Sequence, residues 1–249
     1  TLLRLIAGLP CAGTFDGQVT ASDGINIADR ITVMAQSDLL LPWLSVLENT
    51  VLGARLRGEV PDLCRAETLL DRVGLLGDKH KKTGALSGGM RQRVVIALAL
   101  CAEPSLIIAD EPTTALDVSV QAQIIALLKR LCHERGTAVM LITHDMAVVS
   151  SIADEVAVMY AGEIIERSPV ETFFHNPREE YSRRLIDALP DLNAFLPVSR
   201  RAPLLQLENI KVYFPIRRGV LQRVVDHTRA VDGVSLSIGR GETYVLVGE

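Results

Sequence analysis

A short apolar segment that ends in two adjacent carboxylates constrains the fold of this chain more than any other feature. The segment covers residues 106–109, and Asp110 and Glu111 follow it directly. Four apolar residues in a row, two of them isoleucine, predict a buried strand. Because an unpaired charge at the end of a buried strand is costly, Asp110 requires a cation or strong hydrogen-bond donors beside it. The segment therefore predicts a polar site at the end of a buried strand.

A Ser-Gly-Gly turn precedes this strand at Ser87, Gly88 and Gly89. Ser87 is a favourable N-cap residue, and the apolar run over 94–102 predicts a buried helix that starts just after it. Free backbone N–H groups at such a helix start, together with the helix dipole, form an anion site suited to a phosphate. Alone, the turn is typical of an ordinary capped core helix; with the carboxylate-ended strand it favours a phosphate site.

Polar side chains also follow two other predicted strands. Gln36 follows an apolar strand at 31–34, and His144 follows one at 138–142. Ligands of open α/β sheets bind at the carboxyl ends of strands, so we expect His144 at the same sheet edge as Glu111. An isolated histidine at this position also has a purely structural explanation. A single glutamine after a strand does not by itself indicate a function.

Local patterns predict the remaining elements. They are a hairpin over 17–35, a helix from a capping box at Ser45 and Glu48 to about residue 57, a helix over 63–73, a core helix over 118–134, and a strand at 155–160 with a hairpin after it.

Charge and hydropathy limit the classes of function. The 249 residues carry a net charge of −4, which gives no reason to expect nucleic-acid binding, since such proteins normally carry a basic patch. No apolar run approaches the roughly 18 residues needed to span a bilayer, so a membrane role is expected to act through a partner. The four cysteines have no metal-ligand spacing, and scattered thiols are typical of a reducing, cytosolic compartment.

Three motifs resemble, in type, order and spacing, those of the nucleotide-binding subunit of ATP-binding-cassette (ABC) transporters. They are the run from Leu86 to Arg93, the pair Asp110-Glu111 with the segment to Asp117, and Thr143-His144-Asp145. The resemblance implies an α/β fold, the P-loop NTPase-like ABC nucleotide-binding domain, with a mixed sheet core and antiparallel β elements. It places a helical subdomain at about residues 38–100. It also implies ATP and Mg²⁺ as cofactors, and ATP hydrolysis by the parent protein.

The resemblance assigns roles to individual residues. Glu111 is expected to polarise the water that attacks the γ-phosphate, and His144 to sense that phosphate. Asp110 is expected at Mg²⁺, and Gln36 is expected to reach both Mg²⁺ and the attacking water. The other residues implied to contact nucleotide are Thr1, Ser87, Gly88, Gly89, Gln92, Asp117 and Tyr213.

Several of these contacts are implied to involve a second cassette. Ser87 and Gly89 would touch the nucleotide held by the opposite cassette, and Asp117 lies in the segment that lines the interface between the two. Tyr213 stands where the family stacks an aromatic ring on adenine. The alternative for Tyr213 is a strand aromatic half-buried in a sheet.

The C-terminal third resembles further parts of such proteins. Residues 173–190 are similar to the extension of dipeptide and oligopeptide importer ATPases of the glutathione type, whereas residues 40–46 are more similar to sulfonate, nitrate and taurine importer ATPases. We expect a first ABC domain at 1–168, an extension and linker at 169–202, and the β portion of a second ABC domain at 203–249.

The family's phosphate-binding loops, GxxxxGK[ST], are expected at two places: one directly before Thr1, and one that begins at Gly248 and continues beyond Glu249. Such a loop surrounds the phosphates with backbone N–H groups and adds a lysine charge. We therefore expect these residues alone, as a fragment of a tandem-cassette protein, to hold ATP poorly and to hydrolyse it negligibly.

The sequence also suggests that residues 203–249 fold back onto the first sheet. The strands around Ile107 and Leu141 otherwise lack a neighbour, and residues 245–247 form an apolar strand that would fit between the others. This hypothesis predicts that 230–249 are part of the first domain's sheet.

The expected partners are integral-membrane permease subunits, a second ABC cassette in the same chain or in a dimer mate, and, indirectly, a periplasmic or extracellular solute-binding protein. The protein would then lie peripherally at the cytoplasmic face of the inner or plasma membrane. Trp43 and its neighbouring leucines form either local core or a groove for a permease helix.

Three alternative functions stay open. The first is a sulfonate- or nitrate-type importer ATPase. The second is a non-transport ABC ATPase, which would predict basic insertions, zinc cysteines or a long charged linker. The third is a catalytically inactive interaction module.

Overall fold

The computed structural model describes residues 2–10, 16–24, 30–114, 116–189, 202–218 and 223–246. The chain divides into two compact units on either side of the junction between Leu189 and Pro190. This junction falls inside the segment 169–202 that the sequence assigns to an extension and linker. The boundaries at 168 and 202 stay predictions.

In the first unit, the described residues form nine α-helices and five strands, with two short 3₁₀ helices at Leu76–Asp78 and Thr83–Ala85. Their order is α1 (Leu2–Ile6), β1 (Ile31–Met34), α2 (Val46–Thr50), α3 (Leu52–Leu56), α4 (Leu63–Arg72), α5 (Gly88–Cys101), β2 (Leu106–Asp110), α6 (Val118–Arg135), β3 (Ala138–Ile142), α7 (Met146–Ile152), β4 (Glu155–Tyr160), β5 (Glu163–Pro169), α8 (Val170–His175) and α9 (Glu180–Asp187). The second unit contains β6 (Pro203–Arg218) and β7 (Arg223–Gly239). None of the described helices is long and apolar enough to cross a bilayer.

Three parallel strands, in the order β1-β2-β3, form the central sheet of the first unit. Leu106 of β2 pairs with Ile31 of β1 on one side and with Ala138 of β3 on the other. Parallel neighbours require long crossover connections, which helices provide: α2 to α5 between β1 and β2, and α6 between β2 and β3. This arrangement confirms the predicted α/β fold class.

Helix α5 lies in the core and is apolar on nearly every side. Six of its residues are buried, among them Val94, Ile96 and Leu100. A helix with apolar residues all round is stable only when neighbours cover all its faces, and α5 contacts α2, α4, α6 and β1. The central strand adds Ile107 and Ile108, both 0% exposed. The buried helix predicted after the Ser-Gly-Gly turn is confirmed.

The helix that the capping box opens is interrupted at Val51. As predicted, Ser45 accepts a hydrogen bond from the N–H of Glu48, whose carboxylate accepts one from the N–H of Ser45. The predicted single helix is nevertheless two short ones, α2 and α3. The buried Asn49 holds the preceding loop, since its side-chain amide both donates to the carbonyl of Leu41 and accepts from its N–H.

Two expectations about strands are wrong. Residues 17–20 form no strand, and β1 pairs in parallel with β2. Parallel pairing places β1 beside the buried central strand, where Met34 is 1% exposed. The expected insertion of 230–249 into the first sheet is also wrong where the structure describes these residues. There, β6 and β7 pair with each other, and 242–246 form no strand.

A buried carboxylate fixes the segment that follows the hairpin of β4 and β5, which pair antiparallel as predicted. Glu166 of β5 is 5% exposed. It accepts hydrogen bonds from the backbone N–H groups of Arg178 and Glu179, both at 3.1 Å. Buried charges require such partners, so these bonds tie the start of α9 to the hairpin.

The second unit is an antiparallel ribbon with one apolar face. Leu205 pairs with Ile238, and Leu207 pairs with Leu236. Side chains alternate between the two faces of a strand, so these pairs share one face and Gln206 between them lies on the other. The ribbon lies within residues 203–249, which the sequence predicts to be the β portion of a second ABC domain.

Leu69 on α4 is fully buried, whereas Leu63 on the same helix is 51% exposed. Replacing Leu69 with alanine leaves a cavity, so we expect it to lower the free energy of unfolding by about 2–5 kcal/mol. The control Leu63→Ala is expected to change it by less than about 0.5 kcal/mol. Urea unfolding followed by circular dichroism measures both free energies. Equal losses for the two variants would contradict the burial of Leu69 in the core.

Candidate functional site

The carboxyl ends of the three parallel strands lie at one edge of the central sheet. Gln36 follows β1 by two residues, Glu111 directly follows β2, and His144 follows β3 by two residues. Such an edge is where open α/β sheets bind ligands. The structure brings these three residues, all predicted to be catalytic, into direct contact.

Glu111 is the common partner in this cluster. Its Oε1 lies 2.9 Å from Nδ1 of His144. Its Oε2 accepts hydrogen bonds from Nε2 of Gln36 at 3.0 Å and from Oγ1 of Thr114 at 3.1 Å. Three polar side chains therefore hold one carboxylate, and Thr114 is a member that the sequence did not indicate.

The backbone of Glu111 is held in an uncommon conformation. Its φ of +45° lies in the left-handed region, where a residue other than glycine is strained by about 1–3 kcal/mol. The N–H of Glu111 donates to the carbonyl of Ile142 at 2.9 Å, which fixes this turn against the end of β3. Strain of this kind persists only where surrounding contacts hold it, and it is common at functional sites.

The contacts of Glu111 favour its ionised form. The hydrogen bond with His144, followed by that from Thr114, lowers the pKa of the Glu111 carboxyl below its ordinary value. A carboxyl with a lowered pKa stabilises the folded state at pH above its ordinary pKa, and this contribution is lost as the pH falls through the lowered value. At neutral pH, Glu111 is therefore an ionised acceptor, as a group that polarises water must be.

Asp110 occupies the last position of β2 and is half-buried. Within the described ranges, no group of three or more His, Cys, Asp or Glu side chains is arranged to hold a metal ion. At phosphate sites, however, Mg²⁺ needs only one or two protein carboxylates, because phosphate oxygens and water complete its shell. Asp110 and the amide oxygen of Gln36 have the oxygen chemistry that such a site requires.

The Ser-Gly-Gly turn begins α5, as predicted. Ser87 is the N-cap, and its Oγ accepts a hydrogen bond from the N–H of Met90 at 3.3 Å. Ser87 and Gly88 are exposed, while Gln92 in the next turn is half-buried. The first N–H groups of a helix have no partner inside it, so this exposed turn can accept an anion. Its contact with nucleotide stays a prediction.

Gly89 allows α5 to approach α6 closely. A Cβ atom at Gly89 would lie 2.6 Å from Cγ1 of Val120. At Gly88 it would lie 3.2 Å from Cδ2 of Leu116. The two glycines therefore have a packing role that the sequence alone did not indicate.

Two aspartates cap the helices beside the site. Asp117 is the N-cap of α6, and its Oδ1 accepts hydrogen bonds from the N–H of Val120 and from Oγ of Ser119, both at 2.9 Å. Asp145 is the N-cap of α7 and also accepts from Nε2 of Gln121 at 2.6 Å. An aspartate before a helical run is a recognisable N-cap, but nothing in the sequence identifies Gln121 as its partner. The nucleotide contact of Asp117 stays a prediction.

Two further residues, Thr1 and Tyr213, are predicted to contact nucleotide. Thr1 is outside the described residues, and Tyr213 belongs to the second unit. The hydroxyl of Tyr213 donates to Asp232, which forms an ion pair with Arg229 at 3.2 Å. The Arg229 guanidinium also lies 5.8 Å from the centre of the Tyr213 ring, which is 40% exposed. Stacking of this ring on adenine stays a prediction.

Solved structures with this fold are ATP-binding cassettes, which places the first unit in the class of nucleotide-binding domains. CbiO1 of Clostridium perfringens, part of the ABC transporter complex cbiONQ, matches with a TM-score of 0.59 and 30% identity, covering 76% of this chain and 78% of that one. The dimeric ATP-binding cassette MJ0796, bound to ADP and Pi, matches with a TM-score of 0.50 and 34% identity, covering 58% of this chain and 65% of that one.

Sequence comparisons point to the same class of protein. The sequence model of the family described as ABC transporter matches residues 1–114. Glutathione import ATP-binding protein GsiA of Shigella flexneri is 47% identical over 99% of this chain, and peptidoglycan transport ATP-binding protein YejF of Agrobacterium fabrum is 47% identical over 82%. The chain spans 42% and 37% of these two proteins, less than half of either. The chain belongs to the ABC transporter family of ATP-binding proteins, which confirms the predicted family and its ATP cofactor.

Replacing Gly89 with alanine is expected to destabilise the chain, although alanine usually favours a helix interior by about 1 kcal/mol over glycine. The added Cβ would overlap Val120, whose branched side chain has few alternative rotamers, and overpacking costs about 1–3 kcal/mol. Urea unfolding should therefore show a net loss in the free energy of unfolding for Gly89→Ala. Adding Val120→Ala should restore part of this loss in the double variant. The control is Gly77→Ala, where a Cβ meets nothing within 4 Å. Unchanged or greater stability of Gly89→Ala would refute the close contact.

Proposed function

We propose that this chain is part of the ATP-hydrolysing subunit of an ABC importer for glutathione or other peptides. The cluster in which Gln36, Thr114 and His144 all contact the carboxylate of Glu111 supports hydrolysis most directly. It provides an ionised, fixed acceptor at the sheet edge where α/β proteins bind their ligands.

Glu111 orients the water that attacks the γ-phosphate and accepts its proton. The lowered pKa keeps this carboxyl ionised at neutral pH. The amide nitrogen of Gln36 donates a hydrogen bond to the carboxylate of Glu111. The amide oxygen of Gln36 is therefore available to Mg²⁺ and to the attacking water. The side chain of His144 is 81% exposed; its Nδ1 faces Glu111, which leaves Nε2 for the γ-phosphate.

Mg²⁺, when bound, neutralises part of the charge on the phosphates. Asp110 and Gln36 would hold it through oxygen atoms, and water and phosphate oxygens would supply its other ligands. A second cassette, in the same parent chain or in a dimer mate, presents its own helix start to this nucleotide. The residues that this chain offers across that interface are Ser87, Gly88, Gly89, Gln92 and Asp117.

The helical subdomain offers a surface for the permease. Trp43 is 67% exposed and Leu39 is 70% exposed, which favours a docking groove over local core. Lys82 fixes this loop, because its Nζ donates to the carbonyl of Trp43 at 2.8 Å. Docking to a permease places the protein peripherally at the cytoplasmic face of the membrane, and a solute-binding protein acts only through that permease.

The names of the relatives support the substrate class. GsiA is named for glutathione import, and glutathione is itself a tripeptide. YejF is named for peptidoglycan transport. Residues 173–190, which resemble the extension of peptide importer ATPases, favour the same class over the sulfonate-type alternative.

Glu111→Gln tests the hydrolytic role in the full-length gene product, reconstituted with its permease. We expect kcat for ATP hydrolysis to fall by at least about 100-fold, because general base catalysis contributes on the order of 10²–10⁴-fold. ATP affinity, measured by equilibrium binding, should be retained, since the amide keeps the shape of the side chain.

The control for this variant is Glu103→Gln. Glu103 also has a left-handed backbone and is 59% exposed, but it precedes β2 at the opposite end of the strand. Retained turnover in Glu111→Gln would refute the assigned role. Absence of ATPase activity in the unsubstituted protein would instead favour an interaction module.

A separate uptake experiment decides between the importer types, by comparing the uptake of labelled glutathione with that of labelled taurine.

Trp43→Ala tests the docking surface. Because exposed tryptophans are frequent hot spots, we expect at least about a 30-fold weaker association with the permease, corresponding to a hot-spot loss of about 2 kcal/mol. Titration of the permease in detergent measures the affinity. Val60→Ala, at a side chain 94% exposed, is the control. Equal affinities for both variants would exclude Trp43 from the interface.

A further inference from the structure

Asp145, the residue directly after His144, uses both of its carboxylate oxygens to connect two helices. Its Oδ1 accepts hydrogen bonds from the backbone N–H groups of Ala147 and Val148, at 2.9 and 3.4 Å, in the first turn of α7. Its Oδ2 accepts from Nε2 of Gln121 at 2.6 Å, in the first turn of α6. One carboxylate therefore joins the starts of α6 and α7.

The start of α6 is itself firmly held. The backbone N–H of Gln121 donates to the carbonyl of Asp117 at 2.8 Å. The preceding residue, Val120, lies directly against Gly89 of α5. Gln121 and Asp145 are both half-buried, so water competes little for their hydrogen bond, and the carboxylate charge strengthens it. This bond is also the main cause that lowers the pKa of Asp145.

The ring of His144 depends on the backbone that carries it. Its side chain is 81% exposed, so neighbouring side chains do not pack it into place. The residues on both sides of it are fixed, because the N–H of Asp145 donates to Oγ1 of Thr143 at 3.0 Å. The distance of 2.9 Å from Nδ1 of His144 to Glu111 is therefore set by this three-residue loop.

We propose that Gln121 is a positioning residue for His144: through Asp145 it holds the loop that places the His144 ring against Glu111. The expected effect of Gln121 on ATP turnover rests on the proposed function, whereas its effect on the position of the His144 ring does not. Gln121 lies four residues after Asp117, so a displacement of this end of α6 also displaces the His144 loop. The segment predicted to line the cassette interface is thereby connected to the catalytic cluster.

The first test is carried out on the 249-residue chain without nucleotide. Nuclear Overhauser contacts between the ring protons of His144 and the side chain of Glu111 report whether the ring is in place, since Nδ1 of His144 lies 2.9 Å from Oε1 of Glu111. We expect Gln121→Ala to abolish these contacts. The control Gln123→Ala removes a glutamine of the same helix whose Oε1 accepts from Arg93 at 3.2 Å, and should leave them unchanged.

A reversed pair separates positioning from general stability. Gln121→Glu places two carboxylates together and should abolish the contacts between His144 and Glu111 as Gln121→Ala does. Adding Asp145→Asn restores a hydrogen bond with donor and acceptor exchanged, because the asparagine oxygen still caps α7 while its NH₂ group donates to the new glutamate. The double variant should recover the contacts. It also tests the proposal if Gln121→Ala does not fold.

Turnover provides the second readout, in the full-length gene product. Gln121→Ala should lower kcat by roughly 10–100-fold with KM for ATP unchanged, because a displaced catalytic group slows the chemical step, and the double variant should recover it. Unchanged contacts between His144 and Glu111 in a less stable Gln121→Ala variant would overturn the proposal, as would an unchanged kcat. If no form hydrolyses ATP, the proposed function fails, and the NMR result still decides the role of Gln121.

Discussion

Parallel pairing of three strands is the constraint on which the rest of this structure depends. Gln36, Glu111 and His144 are separated by 75 and 33 residues, yet each leaves its strand at the same edge. The burial of Ile107 and Ile108 stabilises the middle strand, and the polar groups follow at its exposed end. Glu111 then connects the three strand ends, through its carboxylate to Gln36 and His144 and through its backbone N–H to the carbonyl of Ile142.

The helix starts around this edge form a second layer of organisation. Ser87, Asp117 and Asp145 are the N-caps of α5, α6 and α7, and each accepts a hydrogen bond from the turn that it begins. Gly89 brings the first two of these helices close together, and Gln121 connects the second to the third. Asp145, which satisfies the ordinary requirement of a helix start, thus also holds the loop that carries His144.

The chain matches more than one kind of ABC protein, and its parts differ in how specific the match is. The match to CbiO1 covers 76% of the chain and shows a fold shared with another ABC protein. The identity of 47% to GsiA extends over 99% of the chain, and so includes residues 173–190 and the ribbon of the second unit. The net charge of −4 gives no reason to expect nucleic-acid binding, since such proteins normally carry a basic patch.

Sequence alone determined the elements whose signals are local and the residues that belong to a motif. The capping box at Ser45, the N-cap at Ser87, the strand before Asp110 and the helix over 118–134 follow from hydrogen-bonding capacity and apolar periodicity within a few residues. The roles that family motifs assign to Glu111, His144 and Gln36 stay predictions, whereas the rule that parallel strands end at one edge correctly predicted that His144 lies near Glu111.

Only the tertiary structure decided the features that depend on partners distant in the chain. The pairing of β1 with β2, the place of Thr114 in the cluster, the contact of Gly89 with Val120 and the bond from Gln121 to Asp145 all join separate segments. Residues 17–20 carry a hairpin pattern that the fold does not use, since the neighbouring strand β1 pairs instead with the buried central strand β2. Local patterns record what a segment can form, whereas the choice among partners depends on which of them buries more apolar surface and satisfies more polar groups.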